Sequence, residues 1–199
     1  LYALLSMGYS LFLKSQPLVD LFVLAALYTI RLIGGGVATG YTVSLWLLAF
    51  SSFLFLALAI VKRVAELLAM AKRERRGPAR LEARARREQQ RKVAGRGYVP
   101  GDVLILQLMG VAASFVTSLV LALYVQSELM PPGDHRPTLA WGIVPLILFW
   151  QCRLWLATAR GEMHHDPIVF AARDWVSWAV TIASFALLLF GAKVPIFGA

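Results

Sequence analysis

The residue types able to do chemistry gather in three places: Tyr9 with Lys14; Lys62, Arg63 and Glu66; and His164, His165, Asp166, Arg173 and Asp174. On a helix, Lys62 and Glu66 share a face at i and i+4, with Arg63 one position over. Such a face is either an internal ion pair or one wall of an anion site. Three basic groups converging on one cavity mouth suit a phosphate or pyrophosphate, which an arginine can grip through two parallel N–H donors.

Two further constellations read as structure. His164-His165-Asp166 has the residue types of a metal site, but adjacent histidines point in different directions and no further ligand follows at useful spacing. Asp166-Pro167 reads instead as a helix start, aspartate at the cap and proline in the first turn. Gly34-Gly35-Gly36 with Gly40 lacks the preceding strand and the following Lys-Ser or Lys-Thr of a phosphate loop. Glycines four apart, Gly36 and Gly40, predict close packing of helix backbones in lipid.

The elements that position these groups are membrane helices. No charge falls between Leu32 and Val61, a stretch long enough to cross a bilayer. From Lys62 to Arg96 there are 13 Lys or Arg against four Glu, a surplus of +9 that equals the net charge of all 199 residues. The spans are predicted at about Pro17–Thr39, Ser44–Val61 continuing outward to about Ala71, Val103–Ser127, Thr138–Ala159 and Trp175–Ala192. A truncated span precedes them at residues 1–13. Short breaks fall at Ser15-Gln16-Pro17, at Gly40 to Val43 and at Glu128 to Pro137, and Asp102 is suited to cap the helix from Val103.

The expected fold is therefore an all-α, polytopic helical bundle. The composition agrees, with 59% hydrophobic and only 16% charged residues. Threading the spans puts Lys14, residues 62–101 and residues 160–174 on one side, which the positive-inside rule makes cytoplasmic. Concentrated in a single loop beside a span, the basic charge points to anionic lipid headgroups and away from nucleic acid. Asp20 lies near the start of its span, where a charge is unremarkable. Arg31 lies two thirds along it, where insertion costs roughly 2.5 to 3.5 kcal/mol, so it is expected to face the bundle interior or a wet cavity. The one cysteine, Cys152, is inside an apolar run and forms no internal disulfide.

Several segments, in this order, carry a likeness. Tyr9-Ser-Leu-Phe-Leu-Lys14, Leu27-Tyr-Thr-Ile-Arg-Leu-Ile-Gly-Gly-Gly36, Ser44-Leu-Trp-Leu47, Lys62-Arg-Val-Ala-Glu-Leu67, Arg96-Gly-Tyr98 and the run from Arg160 to Asp174 resemble the UbiA superfamily of intramembrane prenyltransferases. The nearest branch is that of decaprenyl-phosphate phosphoribosyltransferase-like proteins, often fused to a haloacid-dehalogenase-like domain. The resemblance spans essentially the whole chain and rests on the order of the motifs.

What the resemblance implies is a nine-helix bundle whose central cavity binds a polyprenyl lipid and a magnesium-bound phosphorylated substrate. Tyr9, Lys14, Lys62, Arg63 and Glu66 would contact substrate phosphate, and Arg31, Asp166, Arg173 and Asp174 would belong to the cavity. The family's first aspartate motif is absent. Its second is replaced by Lys62, Arg63 and Glu66, so Glu66 is the one carboxylate offered to a cation there. Residues 1–199 are thus expected to be the C-terminal portion of a longer transferase, inactive alone, with the N-terminal half as partner and source of the main Mg2+ ligands. A transporter component and a non-catalytic membrane subunit are the other classes. A transporter normally shows internal repeats, and no fixed period occurs here.

Overall fold

The computed structural model describes residues 16–74, 97–128, 139–163 and 166–191. Among these residues six α-helices follow in order: α1 Val19–Thr39, α2 Leu45–Glu74, α3 Val103–Glu128, α4 Ile143–Ala159, α5 Pro167–Arg173 and α6 Trp175–Gly191. Three-residue-per-turn helices at Pro100–Asp102 and Leu139–Gly142 lead into α3 and α4. Among the described residues there is no strand.

Four segments, Val19–Thr39, Leu45–Lys72, Val103–Glu128 and Leu139–Ala159, are long and apolar enough to cross a membrane. Among the described residues a fifth candidate is α6, whose 17 residues are at the lower end of a spanning length and which meets α5 at 84°. The all-α membrane architecture thus agrees with the expectation. The truncated span at 1–13 and residues 75–96 of the basic loop lie outside the described residues. At 1.5 Å per residue α2 is about 45 Å long, well beyond the bilayer's hydrocarbon thickness of about 30 Å.

α1 and α2 run antiparallel, with Asp20 against Arg63 and Thr29 against Ser52, and α2 is central, packing along both α1 and α3. On α3 the two faces are chemically distinct. Leu104, Leu108, Phe115 and Leu119 are exposed, while Leu106, Gly110, Ser114 and Thr117 are buried. Large apolar groups toward lipid and small or hydroxylic groups toward protein are what a lipid solvent selects, because lipid gives apolar helix faces no reason to leave it. Gly110 is the point of closest approach. A Cβ there would sit 2.1 Å from Trp155 Cζ2 and 3.0 Å from Ile60 Cγ2. The indole N–H of Trp155 donates to Ser114 Oγ at 2.9 Å, locking α4 onto α3 one turn further along.

The glycine cluster has a different role from the one predicted. A Cβ on Gly36 would meet Val43 Cγ2 at 2.3 Å, and Gly40 takes φ +69° as the left-handed end of α1. Both serve the tight reversal into α2, and Gly34 and Gly35 meet nothing within 4 Å. Asp102 likewise closes the turn before α3, its Oδ2 accepting the Val99 N–H at 2.9 Å.

The most buried cluster sits at one end of the bundle. Ile60, Val61, Val64 and Leu67 of α2 meet Leu21, Tyr98, Leu106, Leu154 and Met163 there. Asp20, Lys62, Arg63, Glu66 and Asp166 are at this end as well.

Candidate functional site

At that end Arg63 lies between two carboxylates. Its Nη2 donates to Asp20 Oδ2 at 2.6 Å and its Nη1 to Glu66 Oε2 at 2.5 Å. Asp20 is 1% exposed and the Arg63 side chain 7%, so this is a buried pair. The second oxygen of Asp20 accepts from the Tyr98 hydroxyl at 2.5 Å, and that hydroxyl accepts the Leu18 N–H at 2.8 Å. The guanidinium carbon of Arg63 stands 5.4 Å from the centre of the Tyr98 ring. Helix geometry sets up the first part: α2 turns Arg63 and Glu66 to one side at i and i+3, and α1 presents Asp20 in its first turn. Leu18, at a positive φ of 65°, aims its N–H at Tyr98.

Burial raises the Tyr98 pKa above its ordinary value, and the hydrogen bond to Asp20 raises it further. The phenol therefore acts as a fixed donor. Asp20, Arg63 and Tyr98 tie α1, α2 and the turn before α3 into one unit.

Lys62 points elsewhere. It pairs with Asp166 across the bundle, the two side chains being 43% and 35% exposed. Asp166 is the cap of α5, its Oδ1 accepting the Ile168 N–H at 3.2 Å, with Pro167 in the first turn as the sequence predicts. Burial alone would push the Asp166 carboxyl up, but the Lys62 hydrogen bond, the Ile168 N–H and the Lys62 charge together hold it below its ordinary value.

Asp174 plays the same part for α6. It accepts from Ser177 N at 3.0 Å and Ser177 Oγ at 2.9 Å, and from Arg153 Nη2 at 2.6 Å. Its burial is likewise outweighed by Arg153 and Ser177, and the carboxyl titrates below its usual range. Trp150 Nε1 donates to Ser177 Oγ at 2.9 Å, extending the corner into α4. Arg153, near the end of α4, therefore ends on a carboxylate.

The structure thus joins Lys62 to Asp166 and Arg63 to Glu66, and places Arg173 exposed at the end of α5. Arg31 is exposed on α1 with its guanidinium 5.1 Å from the Tyr28 ring centre. Tyr9, Lys14, His164 and His165 lie outside the described residues. Sequence reasoning missed two members of the network. Asp20 looked unremarkable by depth alone, and Tyr98 entered only through the Arg96-Gly-Tyr98 segment. The signal available for Asp20 was an acid in the first turn of a span facing an arginine in the last turns of the next.

For an anion, these groups differ in availability. Removing one partner of a buried ion pair costs about 3 to 5 kcal/mol, whereas an exposed pair contributes about 0 to 1. Arg63 is held by Asp20 and Glu66. Lys62 can exchange Asp166 for a phosphate oxygen at little cost.

For magnesium the described residues do not fit. No three His, Cys, Asp or Glu side chains among them cluster as ligands, Glu66 Oε2 accepts from Arg63, and both oxygens of Asp20 are occupied.

No family model matches the chain. Two aligned proteins cover nearly all of it. The uncharacterized protein y4nM of Sinorhizobium fredii is 34% identical over 182 residues, 90% of this chain and 32% of that protein. The nodulation protein NoeC of Azorhizobium caulinodans is 31% identical over 186 residues, 94% of this chain and 55% of that protein. The chain spans from a third to about half the length of these relatives.

Proposed function

We propose that this chain is part of a membrane-embedded transferase of the UbiA type, moving a prenyl or phosphoribosyl group between a polyprenyl lipid and a diphosphate-activated substrate. One observation carries the reading. Residues from motif segments far apart in sequence, Lys62 with Arg63 and Glu66, Tyr98, and Asp166, meet at one end of a membrane bundle through direct contacts. Four crossing-length helices supply the lipid setting that a polyprenyl substrate needs.

In this reading Lys62 is the anion-binding group. Its ammonium leaves Asp166 for the substrate diphosphate and stabilises the charge that grows on departing pyrophosphate. Arg63 is a positioning residue that fixes α2 and with it the place of Lys62. In phosphoribosyl transfer a lipid-phosphate oxygen attacks the ribose carbon, that carbon's bond to the diphosphate oxygen breaks, and pyrophosphate leaves with the electron pair. Magnesium enters through the family resemblance alone, with ligands outside the described residues, and no step is routed through it. The polar end, residues 62–101 with 160–174, faces the cytoplasm of a cell membrane in this reading.

A second reading, a non-catalytic membrane subunit, is favoured by one specific feature: Lys62, Arg63 and Arg153 each face a carboxylate, so these pairs add no net positive charge. The test is transfer of radiolabel by membranes containing the full-length protein. Label moving from phosphoribosyl diphosphate to polyprenyl phosphate, or from prenyl diphosphate to an aromatic acceptor, supports the transferase and identifies its branch. No transfer with either pair supports the subunit.

A further inference from the structure

We propose that α5 lies in the plane of the bilayer at the boundary between headgroups and acyl chains, so that the lipid surface is its binding partner. The 84° corner between α5 and α6 turns α5 parallel to the membrane when α6 crosses it. Both sides of α5 are apolar. Pro167 is buried and Phe170 packs against the core, while Ile168 is 60% and Val169 41% exposed, with Ala172 beside them and Arg173 at the edge.

That exposed side continues around the corner without a break. Trp175 and Trp178 come next, 76% and 56% exposed, followed by Ile182, Phe185 and Leu189 along one stripe of α6. The indole N–H of Trp178 donates to the Ala172 carbonyl at 3.0 Å, stitching the two exposed sides into one surface. A stripe of that kind on a crossing helix faces lipid, and tryptophans mark the depth of the headgroups. The polar groups of α5 turn the other way: Asp166 is held by Lys62, and Asp174 by Arg153 and Ser177. Clamped to the bundle at both ends, α5 presents its apolar side outward at a fixed height, with Arg173 placed to meet an anionic headgroup.

An in-plane α5 keeps Lys62, Asp166, Asp174 and Arg153 at headgroup level. Reading α5 and α6 as a single broken span would draw the Arg153–Asp174 pair toward the bilayer interior, at the cost that attends any charge there.

The experiment uses the full-length protein in vesicles of phosphatidylcholine and phosphatidylglycerol. In a Cys152→Ser background, single cysteines replace Ile168, Ile182 or Arg160 and carry an environment-sensitive fluorophore. Lipids bearing a doxyl quencher near the headgroup should dim the label at 168 more than lipids bearing it near the chain end, with the reverse order at 182. Aqueous iodide should quench the label at 160 and spare the one at 168. Val169→Cys repeats the measurement should Ile168→Cys fail to insert. Iodide quenching at 168 comparable with that at 160, deep quenching comparable with that at 182, or protection from every quencher, which would indicate a covering protein, each overturns the proposal.

Discussion

Asp20 and Arg63, 43 residues apart on α1 and α2, meet at 2.6 Å with almost no exposure of either side chain. A buried charge that loses its partner costs about 3 to 5 kcal/mol, while replacing both with apolar groups is often nearly neutral. Glu66 remains beside Arg63 and tempers the loss. Asp20→Ala should therefore melt clearly earlier than wild type in detergent, and Asp20→Ala with Arg63→Met should recover much of the difference. A double-mutant cycle on thermal unfolding measures the coupling.

Tyr98→Phe removes the hydroxyl that joins Leu18 to Asp20 and keeps the ring beside Arg63. The loss should be about 1 to 3 kcal/mol, since Asp20 is left with a buried, unmet oxygen. A pH signature accompanies it. The folded pKa of Tyr98 lies above the unfolded value near 10.0, so its contribution is complete below that pH and declines as pH climbs from there toward the folded value. Unfolding followed through the alkaline range should show this decline in wild type and lose that component in Tyr98→Phe.

Gly110→Ala places a methyl carbon where the Trp155 ring lies, so α3 and α4 must separate or the indole must leave Ser114. Overpacking of this kind costs about 1 to 3 kcal/mol. Gly35→Ala, with open space around it, should be neutral or slightly stabilising through helix propensity. Comparing the two melting temperatures checks that the position decides the outcome.

The helices were legible because their signals are long: uncharged runs ended by charge, proline or glycine mark the spans to within a few residues. Asp166-Pro167 announced α5 because cap and proline chemistry is local. Pairing was harder to read, since the partner of a charge depends on how helices pack. Lys62 and Glu66 share a helical face, yet Lys62 reaches Asp166, 104 residues away, and Glu66 serves Arg63. Gly36 looked like a helix-packing residue because spacing alone does not separate that role from a tight reversal. Arg31 is exposed on this chain beside Tyr28, and sequence depth gives no information on direction around the helix.

The charge distribution makes a topological prediction. Lys72 extends from the polar end of α2, and the exposed Tyr41 lies in the break at the opposite end of the same helix. In a Cys152→Ser background, Tyr41→Cys should react with an impermeant maleimide on intact cells, and Lys72→Cys only after the membrane is opened. Labelling of Lys72→Cys from outside would reverse the assigned orientation.

Lys62 separates the two functional readings. Its pair with Asp166 is more than a third exposed, so as a structural contact it contributes about 0 to 1 kcal/mol, and less at high salt. As a ligand to phosphate it would contribute about 1.5 to 3 kcal/mol to binding, the range for hydrogen bonds to charged groups. Lys62→Gln in the full-length protein should accordingly leave the melting temperature close to wild type while weakening the phosphate-bearing substrate by about tenfold or more. Asp166→Asn frees Lys62 without removing it, so substrate should bind at least as well as in wild type. Since the folded pKa of Asp166 is lowered, its stabilising contribution is present above the unfolded carboxyl value near 3.8 and is lost as pH falls through the lower folded value. Asp166→Asn should therefore flatten only the acid limb of the stability curve. Titration calorimetry and melting run on the same preparations settle the matter: unchanged binding in Lys62→Gln would leave Lys62 with its pairing role alone.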